Sequence, residues 1–107
     1  MKRGELYVGA PPGEYGKPRP VVIVQSNLFI EERDSVTVCL LSSESIEAPF
    51  FRVPVERSES NRLKRTCYVM VDKLHTLRKE RLRQPLGSLS PDELAAVDLA
   101  LRRWLAL

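Results

Sequence analysis

The residues best equipped for chemistry gather in one run, Tyr15-Gly16-Lys17-Pro18-Arg19-Pro20, which leads into Val21-Val22-Ile23-Val24-Gln25. Arg19 stands between two prolines, which fix their own φ and push their predecessors toward extended backbone. Its guanidinium is offered from a stiff support beside a loop closed by Gly16, Pro18 and Pro20, an arrangement suited to holding an anion. The same spacing also fits an ordinary arginine at a strand start, and spacing does not separate the two. A planar guanidinium can grip two phosphate oxygens and keeps its charge at neutral pH, so it suits electrostatic stabilisation better than proton abstraction.

Other reactive types are sparse. His75 is the only histidine; histidine is the side chain best matched to proton transfer near neutrality, and a half-exposed loop histidine is the bland alternative. Cys39 and Cys67 each lie inside an apolar run and read as small buried thiols. With no CxxC and a single histidine, no metal ligand set is expected, and no cofactor. Two basic clusters, Arg57, Arg62, Lys64 and Arg65, then Arg78, Lys79, Arg81 and Arg83, suit a polyanion; interleaved acids such as Glu59 and Glu80 equally suit a solvated surface. Phe50, Phe51, Tyr15 and Tyr68 offer faces on which unpaired bases could stack, although Phe51 and Tyr68, lying within strands, suit the core as well.

These groups must be held by a small frame. The 107 residues carry 17 Lys and Arg against 14 Asp and Glu, a net charge of +3, with 43% hydrophobic residues. Such values exclude a disordered chain and predict one domain over residues 1–107. Met1 to Glu5 is not followed by the apolar run of a signal peptide, and no stretch approaches the ~20 apolar residues of a membrane span, so a cytoplasmic protein with no membrane partner is expected.

Strands are expected at Glu5 to Val8, Val21 to Gln25, Ser35 to Leu41, Phe51 to Val55 and Thr66 to Val71, with a short final one at Gln84 to Leu86. Pro54 points to an edge or a bulge. Ser26 or Asn27 is placed to cap a short turn, Ser42-Ser43-Glu44-Ser45 forms a hydroxyl-rich loop, and Leu77 to Leu82 reads as one helical turn. The last element is the clearest helix. Ser90, Pro91 and Glu93 make an N-cap, a proline at the first helical position and a capping-box acid; Leu94, Val97, Leu101, Trp104 and Leu105 then share one face. The reading is a mainly β fold, a small curved β-barrel-like sheet with a C-terminal α-helix packed on it.

Taken together, Gly16 to Ser26, Ser35 to Cys39, Val69-Met70-Val71-Asp72-Lys73-Leu74 and the closing Val97 to Leu107 stretch resemble the MazF/PemK toxin family over almost the whole chain. The resemblance implies the SH3-like curved barrel of the MazF/PemK/CcdB type. It also implies a homodimeric, metal-independent endoribonuclease of a type II toxin–antitoxin system that cuts single-stranded mRNA at a short sequence. A cognate antitoxin, acidic and partly disordered, is the implied second partner.

Carried over residue by residue, the resemblance assigns Arg19 as the catalytic arginine. Ser42 falls where the family has a threonine, a departure that keeps the hydroxyl and loses the methyl that stiffens χ1. A looser, slower site is expected from that change. Asp72 matches an acidic position after the fifth strand and stands as possible support, able to orient Arg19 or accept a proton; His75 carries no firm family role. Tyr15 and Lys17, in a loop shorter than is usual for the family, together with Ser43, Arg62, Lys64, Arg65 and Arg78, are the expected RNA contacts. In that chemistry the 2′-hydroxyl attacks its own phosphate and leaves 2′,3′-cyclic phosphate and 5′-hydroxyl ends. Two rivals remain open: a CcdB-like gyrase poison on the same fold, and a weakened, non-catalytic toxin relic that binds antitoxin or RNA.

Overall fold

The computed structural model describes residues 1–13, 17–44 and 50–107. Six strands, β1 (Glu5–Gly9), β2 (Arg19–Ile23), β3 (Ser35–Ser42), β4 (Arg52–Val55), β5 (Cys67–Arg78) and β6 (Leu82–Ser88), precede one helix, α1 (Pro91–Leu105). They form a single sheet in the order β4-β5-β3-β2-β1-β6. Every neighbouring pair is antiparallel. Pro54 lies on β4, an edge strand, where its missing N–H breaks no inner ladder.

The apolar runs of β2 and β3 are continuous because both faces of these strands are covered. Val22 joins Leu6, Cys39, Leu41, Val53, Val69 and Val71 in the layer beneath Val97, Ala100 and Leu101 of α1. Val21 and Ile23 face the other way, into a second cluster with Val36, Val38, Leu40, Met70 and Leu77, closed by Ile30 and Leu82. The twist that accumulates across the six strands, together with a bulge in β5, curls the sheet into its barrel-like form.

Four elements differ from the sequence reading, among them β6, which spans Leu82–Ser88 where that reading gives Gln84 to Leu86. β2 starts at Arg19 and stops at Ile23. Gln25 leaves the strand to brace the short 3-10 turn Asn27–Phe29: its Nε2 donates to the Phe29 carbonyl at 2.6 Å and its Oε1 accepts the Thr37 N–H at 2.8 Å. Ser26 caps that turn, accepting the Leu28 N–H at 3.2 Å. β5 does not end at Val71 but runs on to Arg78, and the helical turn shrinks to Lys79–Arg81. The polar stretch Asp72-Lys73 is a bend inside the strand: Cys39 pairs with Leu74 while the next residue, Leu40, pairs with Met70, so Val71 to Lys73 bulge away from β3.

The helix begins as its sequence dictates. Ser90 Oγ accepts the Glu93 N–H at 3.1 Å and Glu93 Oε1 accepts the Ser90 N–H at 2.8 Å, a reciprocal capping box with Pro91 in the first turn. Arg3 tethers the N-terminal segment to it, with Nη2 2.6 Å from Asp98 Oδ1 and Nε donating to the Val24 carbonyl at 2.9 Å. Only the first part of the expected apolar stripe is buried. Trp104 and Leu105 in the last turn are 49% and 47% exposed, and the Trp104 ring lies 5.3 Å from that of Phe51. Among the described residues no helix is long and apolar enough to cross a membrane.

Candidate functional site

Arg19 opens β2, opposite Gly9 of β1. Counting outward from the Val21–Leu40 pair, Arg19 and Ser42 are both two residues on, at the same end of their strands. The register therefore brings together two residues far apart in the chain, and they line one cleft of about 460 Å³. Its floor is apolar, built from Val8, Pro20, Leu41, Leu63, Cys67 and Leu86. Its polar lining is Arg19, Ser42, Ser43 and Glu44 together with Arg62, Lys64 and Arg65 from the β4–β5 connection. Arg19 is half-buried, whereas Arg62, Lys64 and Arg65 are exposed.

The hydroxyl of Ser42 has a defined direction. Its oxygen accepts the Glu44 N–H at 3.1 Å, which leaves its own proton available to a ligand oxygen. An apolar floor beneath a cationic rim suits a ligand with a flat apolar face and a negative backbone, a description that fits an unpaired nucleotide strand.

Of the residues singled out from sequence, Arg19, Ser42, Ser43, Arg62, Lys64 and Arg65 come together here. Lys17 is exposed just before the strand and does not line the cleft, and Tyr15 lies outside the described residues. Asp72 sits at the bend of β5, where its Oδ2 accepts from Arg52 Nη2 at 3.0 Å in a largely buried pair. His75 pairs with Val38 further along β5, and its Nδ1 lies 3.3 Å from the Lys73 carbonyl oxygen. Arg78 faces Ser35, at the opposite end of β3 from Ser42. Asp72, His75 and Arg78 thus stand away from the cleft. Among the described residues no group of three or more His, Cys, Asp or Glu side chains is arranged to hold a metal ion.

Both cysteines are free thiols in the buried layer. Burial, with a smaller contribution from the nearby Asp72 charge, pushes the Cys39 thiol up to about 12, although Arg3 pulls the other way. Burial also raises Cys67, at the cleft floor, against the pull of Arg65.

Sequence reasoning passed over Glu44, which lines the cleft, and Asn61, whose side chain is buried at the foot of the basic rim. The available signal for Asn61 was its place in a Ser-Glu-Ser-Asn stretch, since asparagine organises turns through its own amide.

Known proteins are similar to this chain in sequence and in fold. Probable endoribonuclease MazF of Mycolicibacterium smegmatis is 33% identical over 108 residues, covering 100% of this chain and 98% of that protein. A mycobacterial endoribonuclease solved in complex with its cognate antitoxin superposes with a TM-score of 0.82 at 27% identity, over 100% of this chain and 96% of its own. MazF of Deinococcus radiodurans shares the fold at 20% identity, TM-score 0.82, over 100% of this chain and 97% of its own. The family of PemK-like, MazF-like toxins of type II toxin–antitoxin systems matches residues 2–105, from the tethered N-terminus to the last residue of α1, and this chain belongs to it.

Proposed function

We propose that this chain is the toxin of its system and acts as a sequence-specific endoribonuclease on single-stranded mRNA in the cytoplasm. The observation that carries the reading is the convergence of Arg19, Ser42 and the Arg62, Lys64 and Arg65 rim on one cleft with an apolar floor.

The chemistry assigned to these residues needs no metal. The substrate's 2′-hydroxyl gives its proton to Glu44 and attacks the adjacent phosphorus, and the bond to the 5′-oxygen breaks as that leaving oxygen takes the proton back from Glu44 or from solvent. A 2′,3′-cyclic phosphate and a 5′-hydroxyl result. Arg19 holds the non-bridging oxygens as negative charge builds on them, the kind of pre-aimed contact that supplies a large share of catalysis. Ser42 donates a hydrogen bond from its hydroxyl to one of the same oxygens. Glu44 is the carboxylate that lines this cleft among the described residues, and it is the assigned acceptor of the 2′-hydroxyl proton. Ser43, Arg62, Lys64 and Arg65 hold the flanking phosphates.

The working form in this reading is a homodimer. Large apolar side chains left in solvent around the end of α1, Trp104, Leu105 and Leu107, are suited to cover by a protein partner. An acidic, partly disordered antitoxin would meet the basic rim and close the cleft.

Cleavage of a long single-stranded RNA in excess EDTA, with mapped ends and analysis of terminal groups, tests the proposal. Discrete cuts with cyclic phosphate and 5′-hydroxyl ends are expected. Intact RNA after prolonged incubation with folded protein rejects it.

A further inference from the structure

The basic rim of the cleft comes from residues 56–65, a connection with neither strand nor helix. Its geometry is nevertheless fixed, and one side chain fixes it. Asn61 is 1% exposed and is the buried polar side chain of the described residues. Its Oδ1 accepts two backbone N–H groups, from Ser58 at 2.9 Å and Leu63 at 3.0 Å, and its Nδ2 donates to the Glu56 carbonyl at 2.8 Å. Its own N–H donates to Ser58 Oγ at 3.2 Å. The connection is wound around one carboxamide whose donor and acceptor sides are both used.

Two consequences reach the cleft. Arg62, the next residue, is held at φ 53°, in the left-handed region that a side chain with a Cβ seldom adopts. The wound loop is also seated on the far edge of the sheet. The Ser60 carbonyl accepts the Ser88 N–H of β6 at 3.1 Å, and Gly87 lies so close beneath that a Cβ there would fall 1.9 Å from the Ser60 oxygen. β4 and β6 are opposite edges of the sheet, so this seat joins them and carries Arg62, Lys64 and Arg65 across the mouth of the cleft.

We propose that Asn61, seated on Gly87, is a positioning residue for substrate. It holds Arg62, Lys64 and Arg65 as one pre-organised phosphate-binding edge, so that RNA does not have to order a loose basic loop on binding. The proposal rests on the reading of this cleft as an RNA site. Asparagine is required because the site uses an acceptor and a donor together. Aspartate loses the donor toward Glu56 and brings a negative charge beside three cations.

The test is steady-state cleavage of a short single-stranded RNA carrying the mapped cut site. Binding of the same RNA to an Arg19→Ala background is measured across salt concentrations, and each variant is checked for folding by circular dichroism. Asn61→Ala is expected to raise KM about tenfold while kcat stays within about twofold, since the reacting groups are untouched. The slope of log affinity against log salt should become shallower by about 1, as fewer phosphates are held. Gly87→Ala should shift both quantities in the same direction from the other side of the seat. Arg62→Gly keeps the left-handed backbone without strain, so it folds and separates positioning from structure. In that background Asn61→Ala should raise KM only about threefold, because part of its effect passes through Arg62.

A folded Asn61→Ala with KM and salt slope as in wild type overturns the proposal, as does an equal cost in both backgrounds or a fall in kcat alone. Failure of the wild type to bind RNA at all removes the RNA reading itself, a result distinct from tight binding that is indifferent to Asn61.

Discussion

The helix end and the cleft end of this small sheet are built on opposite plans. Beneath α1 the contacts are apolar and many: Val97, Ala100 and Leu101 press on a layer drawn from β1 to β5, and the polar ties, the capping box and the Arg3–Asp98 pair, lie at its margin. At the cleft, charge is concentrated on a strand entry and two connections, and the apolar contribution is a floor. Removing one methylene-rich side chain at the first end loosens a layer but touches no ligand. Removing one polar group at the second should alter function while the fold survives.

The sharpest way to break this contrast is to exchange the two kinds of damage. Arg19→Ala should lower kcat by about 10²–10³, the range seen when one pre-aimed donor to a developing anion is lost, with little change in melting temperature. Arg19→Lys should rescue little, since a point charge does not reproduce the planar fork. Leu101→Ala should do the reverse. It should cost about 2 kcal/mol of stability, at the low end for a buried leucine because Leu101 keeps 9% of its surface exposed, and lower Tm by several degrees. Its kcat at 25 °C should stay that of wild type. A thermal melt beside a cleavage assay decides the matter, and a catalytic collapse in folded Leu101→Ala would erase the distinction between the ends.

The two ends were also unequally readable in the sequence. The helix was visible almost whole, because Ser90, Pro91, Glu93 and the spacing of Val97 and Leu101 act within one or two turns of chain. Its last turn was misjudged: whether Trp104 and Leu105 are covered depends on where the sheet stops, which no local pattern records. At the cleft, Arg19 stood out because flanking prolines are a local device, and Ser42 followed from the resemblance to the toxin family. β5 was cut short since Asp72-Lys73 reads as a turn, whereas it is a bulge in which Asp72 Oδ2 is paired with Arg52 on the neighbouring strand. Asn61 was missed for the same reason at longer range. Its burial requires the 56–65 connection to reach across to Gly87, and nothing near Asn61 in the chain announces that meeting.

A smaller effect sharpens the comparison inside the cleft itself. Ser42→Ala should slow cleavage about tenfold, the loss of one hydrogen bond to a charged oxygen, and KM should move less than kcat. Ser42→Thr restores the stiffer χ1 of a β-branched side chain and should be faster than wild type by about two- to threefold. If threonine proves slower, the cleft has adapted to the smaller residue, and the loss of the methyl is not a weakening.

The two thiols provide the finest probe, because both lie in the layer under α1 and of the two Cys67 also lines the cleft. Cys39 is 0% exposed beneath the helix, and Cys67 is 6% exposed at the floor of the cleft. At pH 8 a small thiol reagent should modify Cys67 at least about tenfold faster, since reactivity needs both access and thiolate. Asn61→Ala should speed Cys67 further by loosening the loop above it, and leave Cys39 as it was. Alkaline pH reads the deeper thiol. A Cys39 raised to about 12 in the folded protein, above the ~8.5 of an unfolded thiol, adds stability that is complete below about pH 8.5 and is lost as pH rises toward 12. Denaturant melts from pH 8 to pH 11 should therefore fall more steeply for wild type than for Cys39→Ala. Parallel slopes, or equal labelling of the two thiols, would mean that the layer under α1 opens as readily as the cleft, and the two ends would then differ in chemistry but not in cohesion.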